Sequence, residues 1–114
     1  MRNKDESRLQ QACVRWFDLQ YPQRSKLLFA VPNGGSRNEI EAAKMKREGV
    51  RAGVSDLIFL TPSGTPIFLE FKTLKGKQSE NQKAWETLVK MFGYEYYIIR
   101  DFEEFERIIN ENTI

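Results

Sequence analysis

The chain has 114 residues and a net charge of +2, with 40% hydrophobic and 30% charged residues, values typical of one soluble globular domain covering residues 1–114. No apolar run approaches the roughly 20 residues that span a bilayer, and the single cysteine, Cys13, excludes an intramolecular disulfide framework and favours a reducing compartment. Histidine is absent, so an enzyme built from this chain must use carboxylates, lysines and water, because His-based triads and metal centres are excluded.

The first predicted element is an amphipathic helix over residues 5 to about 21. Its apolar stripe consists of residues at helical spacing: Leu9, Ala12, Cys13, Trp16 and Gln20. Glu6 lies at the N-terminal end of this stripe. The helix dipole alone favours a carboxylate in the first turn, but Glu6 is also a candidate third carboxylate at a metal site.

Pro22 ends this helix, and residues 26–31 predict a short strand that is closed by Pro32. The next five residues are Asn33, Gly34, Gly35, Ser36 and Arg37. They predict a flexible turn, because glycine permits positive φ and close approach of another backbone. This turn is either simply a loop or a segment whose amides and Arg37 face a phosphate.

A second helix is predicted from an Asn38 N-cap to about Glu48. Its packing positions are Ile40, Ala43 and Lys44. The most basic part of the chain begins here and contains Lys44, Lys46, Arg47 and Arg51. Residues 1–90 hold sixteen Lys and Arg against ten Asp and Glu, whereas residues 91–114 hold two against six. The basic run is therefore either a solvated helix face or a surface that meets DNA.

Two apolar runs, residues 53–60 and 67–72, flank a turn at 62–66 and predict a β-hairpin. Side chains alternate along a strand, so Glu70 and Lys72 share one face. A loop with an odd number of residues (63–65 or 62–66) places Asp56 on that face too, whereas an even loop places it on the opposite face. We predict the odd loop, because only it brings the two carboxylates and the ammonium together. Two carboxylates and an ammonium together suit a hard cation such as Mg²⁺ and the charge of a phosphate. The alternative is a solvated surface pair that contributes little to stability.

After the hairpin, a basic loop contains Lys75 and Lys77, and Ser79 with Gln82 matches a capping box at the start of a third helix. The packing face of this helix is Trp85, Leu88, Val89 and Phe92. Gln82 points inward near the Lys72 loop. Helix capping is enough to explain a glutamine at this position, and a contact with substrate or water would be an additional role.

Gly93 ends the third helix, residues 94–100 predict a strand, and residues 101–112 predict a closing helix. The packing positions of the closing helix are Phe102, Phe105, Ile108 and Ile109. The hairpin is antiparallel, whereas the last strand is reached by a crossover. The sequence therefore predicts an α/β fold with a mixed central sheet flanked by helices.

In these residues the chain resembles the VRR-NUC (virus-type replication-repair nuclease) family of the PD-(D/E)xK nuclease superfamily. The matching pieces occur in family order over nearly the whole chain. They are Glu6 with Leu9-Gln10, Pro32-Asn33-Gly34-Gly35-x-Arg37, Glu48-Gly49-Val50-x-Ala52-Gly53-Val54-Ser55-Asp56-Leu57, Leu69-Glu70-Phe71-Lys72, Gly76-Lys77, Ser79-x-x-Gln82-x-x-Trp85 and Gly93-Tyr94. One departure is Ser55, where the family commonly has proline; we expect little consequence, because no ligand is lost.

The resemblance implies a single restriction-endonuclease-like domain and a set of site residues. Asp56, Glu70 and the backbone carbonyl of Phe71 would ligate one or two Mg²⁺ or Mn²⁺ ions. Lys72 would position or activate the attacking water. Glu6 would contribute directly or through water, and Gln82 resembles the family's glutamine near the site.

The function implied by the resemblance is hydrolysis of DNA phosphodiester bonds by an endonuclease, selective for branched DNA such as four-way (Holliday) junctions. Short members of the family resemble phage or bacterial enzymes of DNA repair and recombination that act as homodimers, so we expect a cytoplasmic protein with no membrane partner. The predicted DNA contacts are Asn33, Gly34, Gly35, Arg37, Lys44, Arg51, Lys75 and Lys77. The strand at 94–97 and the last helix are candidate dimer surfaces.

Three alternatives stay open at the level of sequence. The first is a non-catalytic DNA-binding module that retains the nuclease fold. The second is a sequence-specific endonuclease of the restriction type, which the absence of an obvious recognition insertion disfavours. The third is a small structural domain in which the charges of the hairpin are incidental.

Overall fold

The computed structural model describes residues 3–32 and 38–113. Four α-helices, one 3₁₀ helix and four strands make up this part of the chain. In order they are α1 (Lys4–Gln20), a 3₁₀ helix (Pro22–Leu27), β1 (Leu28–Ala30), α2 (Glu39–Arg47), β2 (Leu57–Leu60), β3 (Pro66–Phe71), α3 (Glu80–Met91), β4 (Glu95–Ile99) and α4 (Phe102–Glu111). None of the helices in these ranges is long and apolar enough to cross a membrane.

The strands form one mixed sheet in the order β1-β2-β3-β4. β1 pairs with β2 and β2 with β3 in antiparallel fashion, whereas β3 and β4 are parallel. The parallel pair is joined through α3, as a crossover connection requires. The predicted mixed sheet flanked by helices is therefore confirmed.

The main hydrophobic core lies between one face of the sheet and the pair of helices α1 and α4. Alternate residues of β3 point into it because side chains alternate along a strand. Its buried members are Cys13, Phe17, Leu28, Leu57, Phe59, Ile67, Leu69, Phe71, Ile99, Phe105, Ile108 and Ile109. Trp16 of α1 packs edge-on against Phe102 and Phe105 of α4, which ties the two helices together. The predicted packing face of the last helix is confirmed.

The predicted stripe of α1 is only partly right. Cys13 is buried, and Leu9 and Trp16 pack against the core, but Ala12 and Gln20 are exposed. Phe17, four residues after Cys13, is fully buried instead. An aromatic ring gains more from burial than alanine or glutamine does, and this sets the rotation of the helix.

The strand predicted over residues 26–31 is wrong in its first half. Pro22 does end α1, but it then starts a 3₁₀ helix that runs to Leu27, and the strand itself covers only Leu28–Ala30. Proline fixes φ near −65°, a value suited to the first turn of a helix. The Arg24 amide donates to the Tyr21 carbonyl at 2.9 Å and stabilises this turn.

The second helix is capped as predicted but does not pack as predicted. The Asn38 side chain accepts a hydrogen bond from the Glu41 amide at 2.8 Å. No residue of α2 is buried, and the Ile40 side chain is 82% exposed. The expectation that Ile40, Ala43 and Lys44 pack inward is therefore wrong: none of α2 reaches the core.

The α3 helix covers the face of the sheet opposite α1 and α4. Its predicted capping box between Ser79 and Gln82 is present, and Trp85 packs against Phe68 of β3 at a ring-centroid distance of 4.9 Å. Val89 is buried. The other two predicted packing residues are not, because Leu88 is 51% and Phe92 72% exposed.

Candidate active site

The hairpin register brings Asp56 opposite Glu70. β2 and β3 pair Leu57 with Leu69 and Leu60 with Pro66, so one step beyond the first pair aligns residues 56 and 70. The connecting loop holds the five residues 61–65, an odd number. The predicted parity of the loop is therefore confirmed.

Asp56 is held by backbone groups on both sides of its strand end. Its Oδ2 accepts a hydrogen bond from the Phe71 amide at 2.7 Å. Its own carbonyl oxygen accepts from the Val31 amide at 2.9 Å, which fixes it to the chain beyond β1. A carboxylate that accepts a backbone N–H in this way is fixed in place by more than its own rotamer preference.

Glu70 and Lys72 are buried, with 0% and 8% of their surface exposed. This excludes the alternative of a solvated surface pair. Glu70 lies between the buried core residues Leu69 and Phe71 in sequence, yet it points to the other face of the sheet, on which α3 packs. A buried carboxylate and a buried ammonium on one face are costly to desolvate, which is typical of functional sites.

The two oxygens of the Glu70 carboxylate have different surroundings. Oε1 accepts a hydrogen bond from the Tyr96 hydroxyl. Oε2 is buried and has no hydrogen-bond partner in the described part of the chain. Burial raises the pKa of Glu70 above its ordinary value, and the Asp56 charge adds to this. The Tyr96 hydrogen bond, the Lys72 charge and, least of the three, the nearby Gln78 amide oppose the rise. A cation at Oε2 would compensate this desolvation.

Glu6 lies near the site but does not join the other carboxylates. A Cβ built on Gly76 would stand 3.4 Å from Oε2 of Glu6, so the first turn of α1 meets the loop that follows Lys72. Within residues 3–32 and 38–113, no three Asp, Glu or Cys side chains converge as a metal-binding group. The predicted contribution of Glu6 stays a prediction.

Gln82 is used mainly as a helix cap. Its side-chain Oε1 accepts from the Ser79 backbone amide at 2.8 Å, and the backbone amide of Gln82 donates to Ser79 Oγ at 3.2 Å. The loop before Asp56 reaches this helix end closely, because a Cβ on Gly53 would meet the Asn81 carbonyl oxygen at 2.3 Å. Gln82 is therefore positioned beside the Asp56 loop, with its carbonyl oxygen engaged in the cap.

Sequence reasoning missed three residues that build the site. Tyr96 donates to Glu70, and Gln78 lies 3.4 Å from the Tyr96 hydroxyl. Arg100 donates from Nη1 to the carbonyls of Thr73 at 2.6 Å and Gly76 at 2.9 Å, and so holds the turn after Lys72. Only the alternation along the last strand could have indicated Tyr96, since it shares a face with residue 98, which pairs with Glu70.

The family model of the VRR-NUC domain matches residues 4–101. The chain belongs to the VRR-NUC family. A solved structure described as a VRR_NUC domain protein shares its fold, with a TM-score of 0.77 and 21% sequence identity over 98% of this chain and 90% of that chain. No match is found among curated proteins. The family resemblance and the restriction-endonuclease-like fold that it implies are both confirmed.

Membership of the VRR-NUC family makes this a nuclease domain and implies a DNA substrate. Ser55 occupies the position at which the resemblance leads one to expect proline. It is fully buried, and its Oγ donates to the Leu57 carbonyl at 3.1 Å. The serine therefore fixes the entry to β2 by a hydrogen bond, whereas a proline would do so by its ring.

The residues of this VRR-NUC domain suit a hard divalent cation. Asp56 and Glu70 provide carboxylate oxygens, the ligand type that Mg²⁺ and Mn²⁺ prefer. The observation that favours a cation is the buried Oε2 of Glu70, which has no hydrogen-bond partner among residues 3–32 and 38–113. The Phe71 carbonyl follows Glu70 directly in sequence and would be the third protein ligand, as predicted.

The predicted DNA contacts in the described ranges are all exposed or half-buried at the surface. They are Lys44, Arg51, Lys75 and Lys77. Lys75 lies in the turn that Arg100 holds, shortly after the buried Lys72, and Lys77 follows the same turn. The predicted contacts Asn33, Gly34, Gly35 and Arg37 fall outside the described residues.

Proposed function

We propose that this chain is a Mg²⁺- or Mn²⁺-dependent DNA endonuclease that cleaves branched DNA, such as four-way junctions, as a homodimer. One observation carries the proposal. The buried Glu70 carboxylate has one oxygen without a partner in the part of the chain that the structure describes, lies opposite Asp56, and is followed on the same face by the buried Lys72. A purely DNA-binding domain has no need for carboxylates placed toward phosphates, since they would repel the substrate.

Asp56, Glu70 and the Phe71 carbonyl would hold the cation. When bound, the cation supplies Lewis acidity toward the scissile phosphate. The chain contributes fixed ligand positions: the Phe71 amide holds Asp56 through a 2.7 Å hydrogen bond, and the Tyr96 hydroxyl holds Glu70. Ligands fixed before the substrate arrives need little reorganisation during the reaction.

Lys72 would orient the attacking water and stabilise the negative charge that develops on the phosphate. Its backbone amide donates to the Ile99 carbonyl at 3.0 Å, so the residue stays in register with β4 beyond the end of β3. The water oxygen forms a bond to phosphorus as the bond to the leaving oxygen breaks. One new strand end then carries a phosphate and the other a hydroxyl.

Selectivity for branched DNA is the finer part of the proposal. The sheet and its helices account for most of residues 3–32 and 38–113. This architecture supports recognition of DNA shape and backbone more than recognition of a base sequence. A two-fold dimer would present two equivalent sites for paired incisions.

The proposal is tested with labelled four-way junction, flap, nicked and linear duplex DNA in Mg²⁺, Mn²⁺ or EDTA. We expect metal-dependent cleavage of the junction by the wild type, and loss of cleavage in Asp56→Asn and Glu70→Gln with DNA binding retained or strengthened. Asp18→Asn is the matched control, because it makes the same chemical change at an exposed position of α1.

Each other outcome has a definite meaning. Cleavage of every substrate keeps the nuclease and removes the selectivity. Tight binding without cleavage in any metal identifies a DNA-binding module that retains the fold. Full activity of Asp56→Asn or Glu70→Gln removes the proposed site.

We propose that the basic turn after Lys72, which contains Lys75 and Lys77, contacts the phosphates of the DNA backbone. The slope of log affinity against log salt is negative, and we expect Lys75→Ala and Lys77→Ala each to make it less steep by about 0.9, the value for one phosphate that a lysine neutralises. Arg107→Ala is the control, since Arg107 is exposed on α4, on the opposite side of the sheet. An unchanged salt slope in both lysine variants would show that this turn does not touch the DNA backbone.

A further inference from the structure

A chain of hydrogen bonds runs from the buried Glu70 carboxylate to the outer surface of α3. The Tyr96 hydroxyl donates to Glu70 Oε1. Nε2 of Gln78 lies 3.4 Å from that hydroxyl and 2.9 Å from Oε1 of Glu86. Glu86 in turn forms an ion pair with Lys90. The function proposed above needs only that Tyr96 holds Glu70, and it does not say which carboxylate oxygen is left for a ligand or what Gln78, Glu86 and Lys90 contribute.

The chemistry of these groups determines which atom donates and which accepts in each hydrogen bond of the series from Glu86 to Glu70. An ionised carboxylate can only accept, so Gln78 must present its NH₂ group to Glu86, and its second N–H reaches the Tyr96 hydroxyl. That hydroxyl accepts from Gln78 and donates to Glu70. A tyrosine hydroxyl carries its proton at neutral pH, so it is the donor to the carboxylate.

Tyr96 is held in place independently of Glu70. Its backbone pairs with Phe68 in the parallel ladder of β3 and β4. Its side chain is 5% exposed and packs against Trp85 at a ring-centroid distance of 5.9 Å. Because the ring cannot follow a moving carboxylate, the hydroxyl sets the position of Glu70 and not the reverse.

The consequence of this hydrogen bond is that the two carboxylate oxygens become unequal. Oε1 is occupied by the Tyr96 hydroxyl, and Oε2 is buried without a partner in the described ranges. A carboxylate free to rotate would exchange its oxygens between the two positions. With Oε1 fixed, Oε2 is the oxygen left for a ligand.

We propose that Tyr96, supported by Gln78, is a positioning residue that holds the Glu70 carboxylate so that Oε2 binds the divalent cation. This inference rests on the proposed function, because it needs a cation held by Asp56 and Glu70. Hydrogen-bond partners of metal ligands commonly change metal affinity by about 10- to 100-fold when they are removed.

The test is the affinity of the full chain for Mn²⁺ without DNA, measured by isothermal titration calorimetry. We expect Tyr96→Phe to weaken Mn²⁺ binding by about 10-fold or more. Tyr97→Phe is the matched control, since the Tyr97 hydroxyl donates at 2.8 Å to the exposed Glu95. It removes the same atom one residue away, and its Mn²⁺ affinity should equal that of the wild type.

A second variant keeps the inference testable if Tyr96→Phe does not fold. Gln78→Leu leaves the Tyr96 hydroxyl in place but removes the donor that orients it, so Mn²⁺ binding should weaken by about threefold or more. Wild-type Mn²⁺ affinity in folded Tyr96→Phe, or in Gln78→Leu where the first variant is unfolded, would overturn the inference. A merely structural role predicts that result, with a loss of stability alone.

Cleavage assays in Mn²⁺ run beside the titrations separate the two proposals. A wild type that binds Mn²⁺ but cleaves no DNA removes the proposed function, while the binding data still decide the role of Tyr96. A wild type that cleaves DNA, with Tyr96→Phe binding Mn²⁺ equally well, removes this inference alone. A wild type that binds no Mn²⁺ overturns the inference.

Discussion

The two faces of the central sheet differ in what they bury: one carries the apolar core and the other carries the charged residues of the candidate site. The face toward α1 and α4 buries apolar side chains, with Phe17, Leu69 and Phe105 fully enclosed. The face toward α3 buries Glu70 and Lys72 beside a smaller aromatic group. Consecutive residues of one strand, Leu69 and Glu70, thus belong to different environments. The difference shows that a small domain can carry buried charge when a separate apolar layer holds it together.

The largest expected contrast is between a truncation on the apolar face and a charge change on the other. Phe17→Ala should lower the free energy of unfolding by about 3 to 5 kcal/mol, because it leaves a cavity in the core. Glu70→Gln should cost less, about 1 to 2 kcal/mol, because it removes the charge that faces the buried Lys72 but keeps the side-chain volume and an oxygen that can accept from Tyr96, so no cavity forms. Urea unfolding of both variants in EDTA gives the comparison. If Glu70→Gln lost as much unfolding free energy as Phe17→Ala, the two faces would not differ in their contribution to stability.

The second prediction concerns the close approach that brings Asp56 to α3. Gly53 has φ +87° and leaves no room for a Cβ beside the Asn81 carbonyl. Gly64 has φ +89°, and a Cβ there would have no described atom within 4 Å. An alanine at positive φ costs about 1 to 2 kcal/mol by itself. Gly64→Ala should lower the free energy of unfolding by that amount only. Gly53→Ala should lower it by about 3 kcal/mol or more, because the backbone must also move away from Asn81.

The glycine comparison has a functional readout as well. Gly53→Ala should also weaken DNA cleavage, because the loop that delivers Asp56 is displaced from the start of α3. Gly64→Ala should leave cleavage intact, since residue 64 lies in the hairpin loop at the far end of β2. Equal losses of stability in the two variants would show that the cost comes from the positive φ alone and that the contact between residue 53 and Asn81 adds nothing to it.

The local parts of the site could be predicted from the sequence. Alternation along the second apolar run is enough to place Glu70 and Lys72 on one face. Asp56 joins them only if the loop is odd, a parity that we predict because it brings the three charges together, and the antiparallel hairpin itself is a local structure. The capping box of Ser79 and Gln82 follows from four consecutive residues. For these elements the sequence neighbourhood contains all the atoms that decide the structure.

The parts that depend on distant contacts could not be predicted. Tyr96 meets Glu70 only because β4 pairs with β3 in one register, and the packing of the crossover helix sets that register. Gln78 stands in a loop, where nothing in its neighbourhood indicates a partner. The rotation of α1 was missed for the same reason, since Phe17 competes with Ala12 and Gln20 for a core whose shape the helix alone does not define.

The third prediction tests how the turn after Lys72 is held. Nη1 of Arg100 donates to the carbonyls of Thr73 and Gly76, so Arg100→Ala should cost about 2 kcal/mol and speed hydrogen exchange in residues 73–77. Arg107→Ala is the control, because its exposed ion pair with Glu111 is worth only about 0.3 to 0.5 kcal/mol. Unchanged exchange in Arg100→Ala would show that the turn is held by other contacts.

The smallest effect is expected at Cys13, on the apolar face. Burial, with a smaller contribution from the charge of Asp101, raises the pKa of this thiol to about 12. The folded state therefore retains the proton more strongly than the unfolded state does, and its contribution to stability falls as the pH rises from about 9 to about 12. Cys13→Ala should cost only about 1 kcal/mol, because a buried free cysteine acts as a small hydrophobe.

Thiol labelling at about pH 8 makes the same comparison chemically. The sequence has one cysteine, so each labelled chain reports on Cys13 alone. Native protein should react slowly, at a rate set by opening of the core, since both burial and the raised pKa disfavour the thiolate. Leu88→Cys in a Cys13→Ala background should react quickly, because Leu88 on the α3 side is 51% exposed. Equal rates would mean that solvent reaches Cys13, on the α1 and α4 face, in the native state.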